Sequence, residues 1–160
     1  MPPSPRTPTA NETKALKTAS ATEGGRLPDT LTRRMLASLL DAGYICREGT
    51  DSARADDQAD LAALDAGPAA WRITDRGRRA VLTDAQWRAL TERVAPDDAL
   101  LPNVNWVTKQ ALHDLGLVEY RDDTGRIQST DGSTGLRGPI HRAFRTGTGR
   151  RLAASEPASP

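Results

Sequence analysis

Leu39-Leu40-Asp41-Ala42-Gly43-Tyr44-Ile45 contains a helix end and a strand start within seven residues, and the predicted architecture follows from it. A similar stretch, Leu112-His113-Asp114-Leu115-Gly116-Leu117-Val118, follows 73 residues later. In each, apolar residues at helical spacing precede a glycine, and glycine commonly ends a helix in the left-handed conformation. A short apolar run then favours a strand. A pattern that recurs over this distance predicts two copies of one structural unit.

The first copy predicts a helix followed by two strands. Met35/Leu39 and Leu36/Leu40 are pairs four residues apart and form one apolar helical face. Tyr44-Ile45-Cys46 begins the first strand, and Trp71–Thr74 is the return strand. Cys46 is interpreted as a small strand hydrophobe, and as the single cysteine it excludes an internal disulfide. The return strand leads through Gly77 into a basic helix start.

The second copy predicts the same elements with a helix before them. Its middle helix has a buried face made by Val104, Val107, Ala111 and Leu115. Leu117–Tyr120 is the first strand, and Ile140–Thr146 is a less clear return strand whose apolar residue is out of register with Ile73, which implies a weak wing or a bulge. Thr83-Asp84-Ala85-Gln86 fits a capping box and opens a helix with Trp87, Leu90 and Val94 on one face. Pro96 ends that helix, and a further helical turn is expected at Asp97–Leu101.

Both ends of the chain are poor in core-forming residues. Residues 1–26 are expected to be a mostly disordered arm, with Leu16 as the one apolar anchor of a short helix across Asn11–Ser20. Residues 153–160 are expected to be a disordered tail. The predicted domains are therefore a first unit over 27–82 and a second over 83–152.

The order of helix, Gly, strand, long loop and strand ending in Ile-Thr-x-x-Gly-Arg resembles the winged helix-turn-helix family of bacterial regulators. Trp71-Arg72-Ile73-Thr74-Asp75-Arg76-Gly77-Arg78 is similar to the end of the wing in that family. The resemblance covers about 125 residues as two units and implies an α+β, helix-rich fold of tandem winged helix-turn-helix units with small β-hairpin wings. One departure is that the Gly-, Pro- and Thr-rich segment 20–29 leaves no convincing pair of helices before Leu31.

The resemblance implies a duplex DNA-binding protein, a transcriptional regulator or accessory factor, whose recognition helices enter the major groove. The outward polar residues expected to meet DNA are Thr30, Arg33, Arg34 and Ser38 in the first unit and Asn105, Lys109, Gln110 and His113 in the second. Arg or Lys suits guanine, and Asn or Gln suits adenine. The alternative that these residues are only the solvated face of surface helices remains open.

The two loops differ in their local charge. Residues 137–151 contain no acid and five arginines, namely Arg137, Arg142, Arg145, Arg150 and Arg151, so this second wing is expected to contact phosphates. Neutralising about five phosphates gives a log–log salt slope near −4.5. Residues 41–65 carry seven acids and two arginines, and the acidic 46–70 loop, with a helix expected at Gln58–Leu64, fits a protein partner better than DNA.

The amino-acid composition limits the other functions that the chain could have. With 160 residues and a net charge of +1, the chain has no whole-molecule field toward a polyanion. The few aromatic residues are expected to be core anchors, namely Trp71, Trp87, Tyr44 and Phe144, whereas an exposed Trp106 would indicate a partner surface. No apolar run approaches a membrane span and no secretory signal is present, so a soluble cytoplasmic protein is expected.

Catalytic readings have little support. The two histidines have no metal-ligand spacing, and no nucleophile elbow or phosphate-binding loop is present, so no enzyme activity, cofactor or metal is expected. Asp56-Asp57 and Asp122-Asp123 are interpreted as solvated loop charges. The competing hypothesis is a winged-helix protein-protein interaction adaptor that does not bind DNA. A homodimer is expected unless the two recognition helices of one chain lie about 34 Å apart.

Overall fold

The computed structural model describes residues 6–47 and 71–155. Within these ranges the chain is α+β, as predicted, with helices joined to small antiparallel sheets. It forms two compact units, one ending at Val81 and one beginning at Leu82. No helix in these ranges is long and apolar enough to cross a membrane. The predicted helix at Gln58–Leu64 and most of the acidic loop lie outside the described residues.

The first unit has three helices and a two-stranded sheet in its described part. These are α1 (Ala10–Ala21), α2 (Arg33–Asp41), β1 (Ile45–Arg47), β2 (Trp71–Ile73) and α3 (Asp75–Ala80), with a 3₁₀ turn at Glu23–Gly25. The strands are antiparallel, with Ile45 opposite Ile73. Leu16, Leu39 and Trp71 are fully buried, so both helices α1 and α2 contribute to one core with the sheet.

The second unit has three helices and a three-stranded sheet. These are α4 (Asp84–Thr91), α5 (Trp106–Asp114), β3 (Val118–Arg121), β4 (Ile127–Gln128), β5 (Arg142–Arg145) and α6 (Gly147–Ala154). The strand order is β4-β3-β5, and both pairings are antiparallel. Leu90, Leu112, Leu117 and Tyr120 form the centre of the core.

Helix α1 corrects the expectation that residues 1–26 are mostly disordered. Thr9 and Glu12 form a reciprocal capping box at its start, and Leu16 is fully buried with small residues Ala15 and Ala19 beside it. Small side chains allow the helix to approach the sheet closely, so one large apolar residue is enough to anchor it. The first unit therefore includes this helix and does not begin at residue 27.

The repeated stretch forms the same joint in both units. Gly43 and Gly116 adopt positive φ angles of 76° and 72°, as expected for the glycine that ends a helix. Thr74 and Thr146 then cap α3 and α6, and each threonine hydroxyl donates to the carbonyl of the matching glycine, at 2.8 and 2.9 Å. The two units thus share an equivalent set of hydrogen bonds at this joint.

The duplication also includes a segment that sequence reasoning placed in a helical turn. Asp97–Leu101 is not helical: Ala99 bridges Phe144, and the Leu100 amide donates to the Ala143 carbonyl at 2.8 Å. The first unit has the matching contacts, with Arg26 bridging Arg72 and the Leu27 amide donating to the Trp71 carbonyl at 3.2 Å. In each unit a short extended segment therefore adds to the free edge of the return strand.

The return strand of the second unit contains no bulge. β3 and β5 pair residue by residue from Val118 opposite Arg145 to Arg121 opposite Arg142. Arg145 therefore takes the position that Ile73 has in the first unit. The predicted apolar residue is replaced by a cation that forms an ion pair, which is why the sequence suggested a register shift.

Two predictions about buried side chains are wrong. Val107 is 58% exposed, and the buried face of α5 is centred on Leu112. Trp71 and Tyr44 are buried as expected, but Trp87 and Phe144 are only half-buried. Tyr120 is the buried aromatic of the second unit.

The order of helices departs from the resemblance at one place. A helix-turn-helix needs a helix shortly before the recognition helix. Between the extended segment and the middle helix, residues 27–32 and 100–105 contain turns and no helix. Pro28 and Pro102 lie in these segments and disfavour helical continuation.

Candidate nucleic-acid interface

The start of α2 is an exposed cationic surface. Thr32 caps the helix by accepting a hydrogen bond from the Met35 amide, and Leu36 and Leu39 are buried. Arg33 and Arg34 lie in the first turn and are exposed. Thr30 precedes the cap and is also exposed. The first turn of the helix therefore contains two adjacent exposed arginines, as the sequence predicted.

Ser38 does not belong to this surface, because it is engaged within the unit. Its hydroxyl donates to Glu12 Oε1 at 2.8 Å and accepts from the Arg6 guanidinium at 2.7 Å. Arg6 also binds both carboxylate oxygens of Glu12, at 2.8 and 2.9 Å. These hydrogen bonds lower the pKa of the buried Glu12 to about 2, mainly through Arg6. Ser38 thus holds α2 against α1 and is corrected from base reading to packing.

The polar residues of α5 are also largely occupied within their own unit. Asn105 is the helix cap, with its Oδ1 accepting from the Thr108 amide at 2.8 Å. Gln110 donates to Asp114 Oδ1 at 2.9 Å and accepts from the Tyr120 hydroxyl at 3.4 Å. His113 lies against the Tyr120 ring, with ring centroids 4.9 Å apart. Burial raises the pKa of Tyr120, and the charges of Asp131 and Asp114 raise it further.

Lys109 is the remaining predicted polar contact on α5. It is half-exposed and makes no ion pair within the described part of the chain. Beside it the helix presents apolar side chains, because Trp106 is 67% exposed and Val107 is 58% exposed. The face that was expected to be polar is therefore largely apolar at its start.

Three of the five arginines in the predicted basic wing form ion pairs with two acids that precede it in sequence. Asp98 pairs with Arg145 and, at 3.6 Å, with Arg150, while Asp97 pairs with Arg142 at 3.1 Å. The Arg145 guanidinium also donates to the Leu90 carbonyl at 3.3 Å and is only 20% exposed. The wing was expected to have no compensating acid. This expectation is wrong, because acids outside the wing segment of the sequence lie next to it in the folded unit. Arg145 in particular is a structural cation.

Arg137 and Arg151 are the other two wing arginines. Arg137 is exposed at a tight turn, where its amide and carbonyl pair with those of Thr134. Arg151 is exposed on α6, next to Arg150. The five arginines are therefore distributed over the turn at Arg137, strand β5 and helix α6.

Asp97 and Asp98 set the local charge of this region and are not predicted from the sequence. The signal was available in the repeat, because Asp98 aligns with Gly25 once the extended segments are matched. Both residues have positive φ angles, 69° at Asp98 and 71° at Gly25, and Asp98 is the one such non-glycine residue within the described ranges. This alignment places the Asp98 carboxylate beside the return strand, where it meets Arg145.

Among the described residues, the cationic surplus lies in the first unit. Its described residues contain eleven Lys and Arg against five Asp and Glu, whereas those of the second unit contain ten against nine. Residues 48–70 add six acids and one arginine to the first unit by sequence. With residues 48–70 included, the first unit has twelve Lys and Arg against eleven Asp and Glu, so neither unit has a large cationic surplus by sequence.

No family model, curated protein or solved structure matches this chain. The evidence for function therefore comes from the geometry of the two units.

Proposed function

We propose that the chain is a tandem winged-helix protein that binds duplex DNA, with the start of α2 as its principal contact. The observation that supports this most strongly is the pair of exposed arginines, Arg33 and Arg34, at the start of a helix whose opposite face is buried. A helix presented in this way fits the major groove, and adjacent guanidinium groups suit phosphates and guanine edges.

The repeated unit supports the same proposal. Each middle helix is followed by a hairpin and a capped third helix, which is the order found in winged-helix proteins. Arg137 at its exposed turn and Lys109 on α5 are the contacts proposed for the second unit. Arg142, Arg145 and Arg150 contribute less than the sequence suggested, because DNA would have to compete with Asp97 and Asp98. The expected salt slope is therefore about −3, from three or four phosphate contacts, instead of −4.5.

Fluorescence anisotropy with 30-base-pair duplexes tests the proposal. Replacing both Arg33 and Arg34 with Ala should lower affinity at least tenfold and reduce the magnitude of the salt slope by about 1.8. The matched control replaces Lys14 and Lys17, which are exposed on α1, and removes the same charge. If the two double variants lose affinity equally, net charge and not the α2 surface is responsible. Undetectable binding of the unaltered protein in low salt would reject DNA binding altogether.

A protein-interaction adaptor is the second candidate function. It is favoured by the exposed large apolar side chains of the described chain, all of which lie in the second unit: Trp106, Val107, Ile127, Leu136 and Ile140. The ion pairs that engage three wing arginines also fit this function. In an adaptor, the alanine substitutions at Arg33 and Arg34 would leave partner binding unchanged.

A further inference from the structure

The two middle helices present opposite chemistry at equivalent positions. Thr32 and Asn105 are the matching caps, so Arg33 and Arg34 on α2 correspond to Trp106 and Val107 on α5. The side chains are exposed in both helices. One copy of the repeat therefore offers two cations where the other offers an aromatic and an aliphatic group.

Hydrogen-bond readout at this part of α5 is restricted by contacts within the unit. The Asn105 side-chain oxygen is used by the helix cap, and the Gln110 amide nitrogen is held by Asp114. A bidentate contact to adenine requires both the oxygen and the nitrogen of one amide. What this surface offers freely is apolar contact from Trp106 and Val107.

The edge of a base pair in the major groove has one apolar group, the C5-methyl of a pyrimidine. We infer that Trp106 and Val107 read this methyl, carried by thymine or by 5-methylcytosine. The inference rests on the proposed duplex DNA binding and adds a base preference to the second unit. Lys109 flanks the same first turns and supplies a cation for the phosphates beside the groove.

Two exposed side chains provide enough apolar surface for this ligand. The exposed parts of Trp106 and Val107 together amount to roughly 250 Å², judged from the area of a large aromatic side chain. A stable protein interface buries about 800 Å² on each partner. A contact to one or two base methyls needs far less area, so two side chains are sufficient.

Matched duplexes that differ only in the C5-methyl test the inference. The probes are 24-base-pair duplexes of alternating dA·dT and alternating dA·dU, and of alternating dG·dC with and without 5-methylcytosine. We expect binding to weaken about fourfold for each contacted methyl that is removed. A preference for dT identifies thymine as the source, and a preference for 5-methylcytosine identifies the modified base.

Variants locate the effect on α5. V107A and W106A should each bring the ratio of affinities for methylated and unmethylated probes toward one. K109A is the matched control on the same helix and should weaken binding to all probes by the same factor, which leaves the ratio intact. Because the same probe pair is used for every protein, differences in duplex shape cancel.

The outcomes separate this inference from the proposal on which it rests. Equal binding to methylated and unmethylated probes, with duplex binding retained, would overturn methyl reading and leave DNA binding in place. A preference that persists in both V107A and W106A would overturn its assignment to this surface. Absence of binding to every duplex would overturn both, and would assign the apolar surface to a protein contact.

Discussion

The contact between Arg6, Glu12 and Ser38 shows how one buried carboxylate organises the first unit. Glu12 is 4% exposed, closes the capping box of α1 and receives the Arg6 guanidinium. Arg6 also donates to the Ser38 carbonyl at 2.9 Å. Because a charged carboxylate loses hydration on burial, it is stable here only with these partners. The N-terminal segment is therefore part of the packed unit.

We expect E12Q to lower the free energy of unfolding at pH 7 by about 2–3 kcal/mol, since the folded pKa of about 2 lies below the ordinary value of 4.5. A lowered pKa stabilises the fold above pH 4.5, and that stabilisation is lost as the pH falls from 4.5 toward 2. Urea unfolding followed by circular dichroism at pH 7 and pH 3 measures both effects.

The exposed Glu23 provides the control, because E23Q removes the same charge on the same unit. E12Q should flatten the dependence of stability on pH between 4.5 and 2, and E23Q should not. An E12Q protein with the unaltered pH dependence would show that the ion pair with Arg6 is absent in solution.

Asp98 combines an unfavourable backbone with a favourable side chain. A φ of 69° costs a non-glycine residue about 1–2 kcal/mol, and the first unit has Gly25 at the matching position. The Asp98 carboxylate pairs with Arg145 and Arg150. The ion pairs account for an aspartate at a position where glycine is the relaxed choice.

D98G should be more stable than D98A by about 1 kcal/mol, because both lose the ion pairs and only glycine relieves the backbone. Guanidinium unfolding midpoints of the two variants measure the difference. Both should also bind duplex DNA with a steeper salt dependence, since they uncover two arginines. Equal stability of D98G and D98A would contradict the left-handed conformation.

At the scale of elements, the sequence predicted the parts that depend on local pattern. The helix ends at Gly43 and Gly116 can be predicted from the sequence, and so can the capping box at Thr83. Each of these features depends only on residues that are close together in the chain. The sequence underestimates the contribution of helix α1 to the core, because the helix packs through one large apolar residue, Leu16, and small alanines. The ion pairs of Asp97 and Asp98 with β5 join residues about 45 positions apart. A count of charges over a short window of sequence therefore does not include both partners of these pairs.

The return strand and the third helix are in close contact at their joint in each unit. A Cβ at Gly149 would lie 2.1 Å from the Leu117 carbonyl oxygen, and one at Gly77 would lie 2.3 Å from that of Tyr44. We expect G149A to reduce the free energy of unfolding of the second unit by at least about 2 kcal/mol, since backbone cannot move away easily.

Gly147 is the control on the same helix, because its Cβ would meet no atom closer than an arginine side chain at 3.9 Å. G147A should leave stability unchanged or raise it by up to about 1 kcal/mol. Thermal unfolding of both variants measures the contrast. A tolerated G149A would mean that the helix and strand are further apart than described.

At the scale of the whole molecule, opposite charges nearly cancel along the chain. The described residues of the first unit are strongly cationic, and residues 48–70 of the same unit carry a surplus of five negative charges by sequence. The net charge is +1. Long-range attraction to DNA is therefore weak, and the proposed binding would depend on local contacts.

Replacing the six acids of residues 48–70 with Asn or Gln should strengthen duplex binding at 50 mM salt by at least tenfold, because it removes six negative charges from the chain. The gain should shrink at 200 mM salt, since screening weakens attraction over distances beyond about 10 Å. Anisotropy titrations at both salt concentrations measure the change. Unaltered affinity at 50 mM would show that this charge does not oppose DNA binding.

The joints at Thr74 and Thr146 are formed by main-chain carbonyls and a threonine hydroxyl, and these hydrogen bonds do not involve the side chain that precedes each threonine. Isoleucine in one half and arginine in the other can thus follow the same strand path. In protein engineering, the shared hydrogen bonds should therefore allow the exposed residues of one hairpin and middle helix to be exchanged for those of the other. Replacing Trp106 and Val107 with arginines, as at Arg33 and Arg34, would change the chemistry of the exposed surface of α5. The fold of the second unit should remain the same.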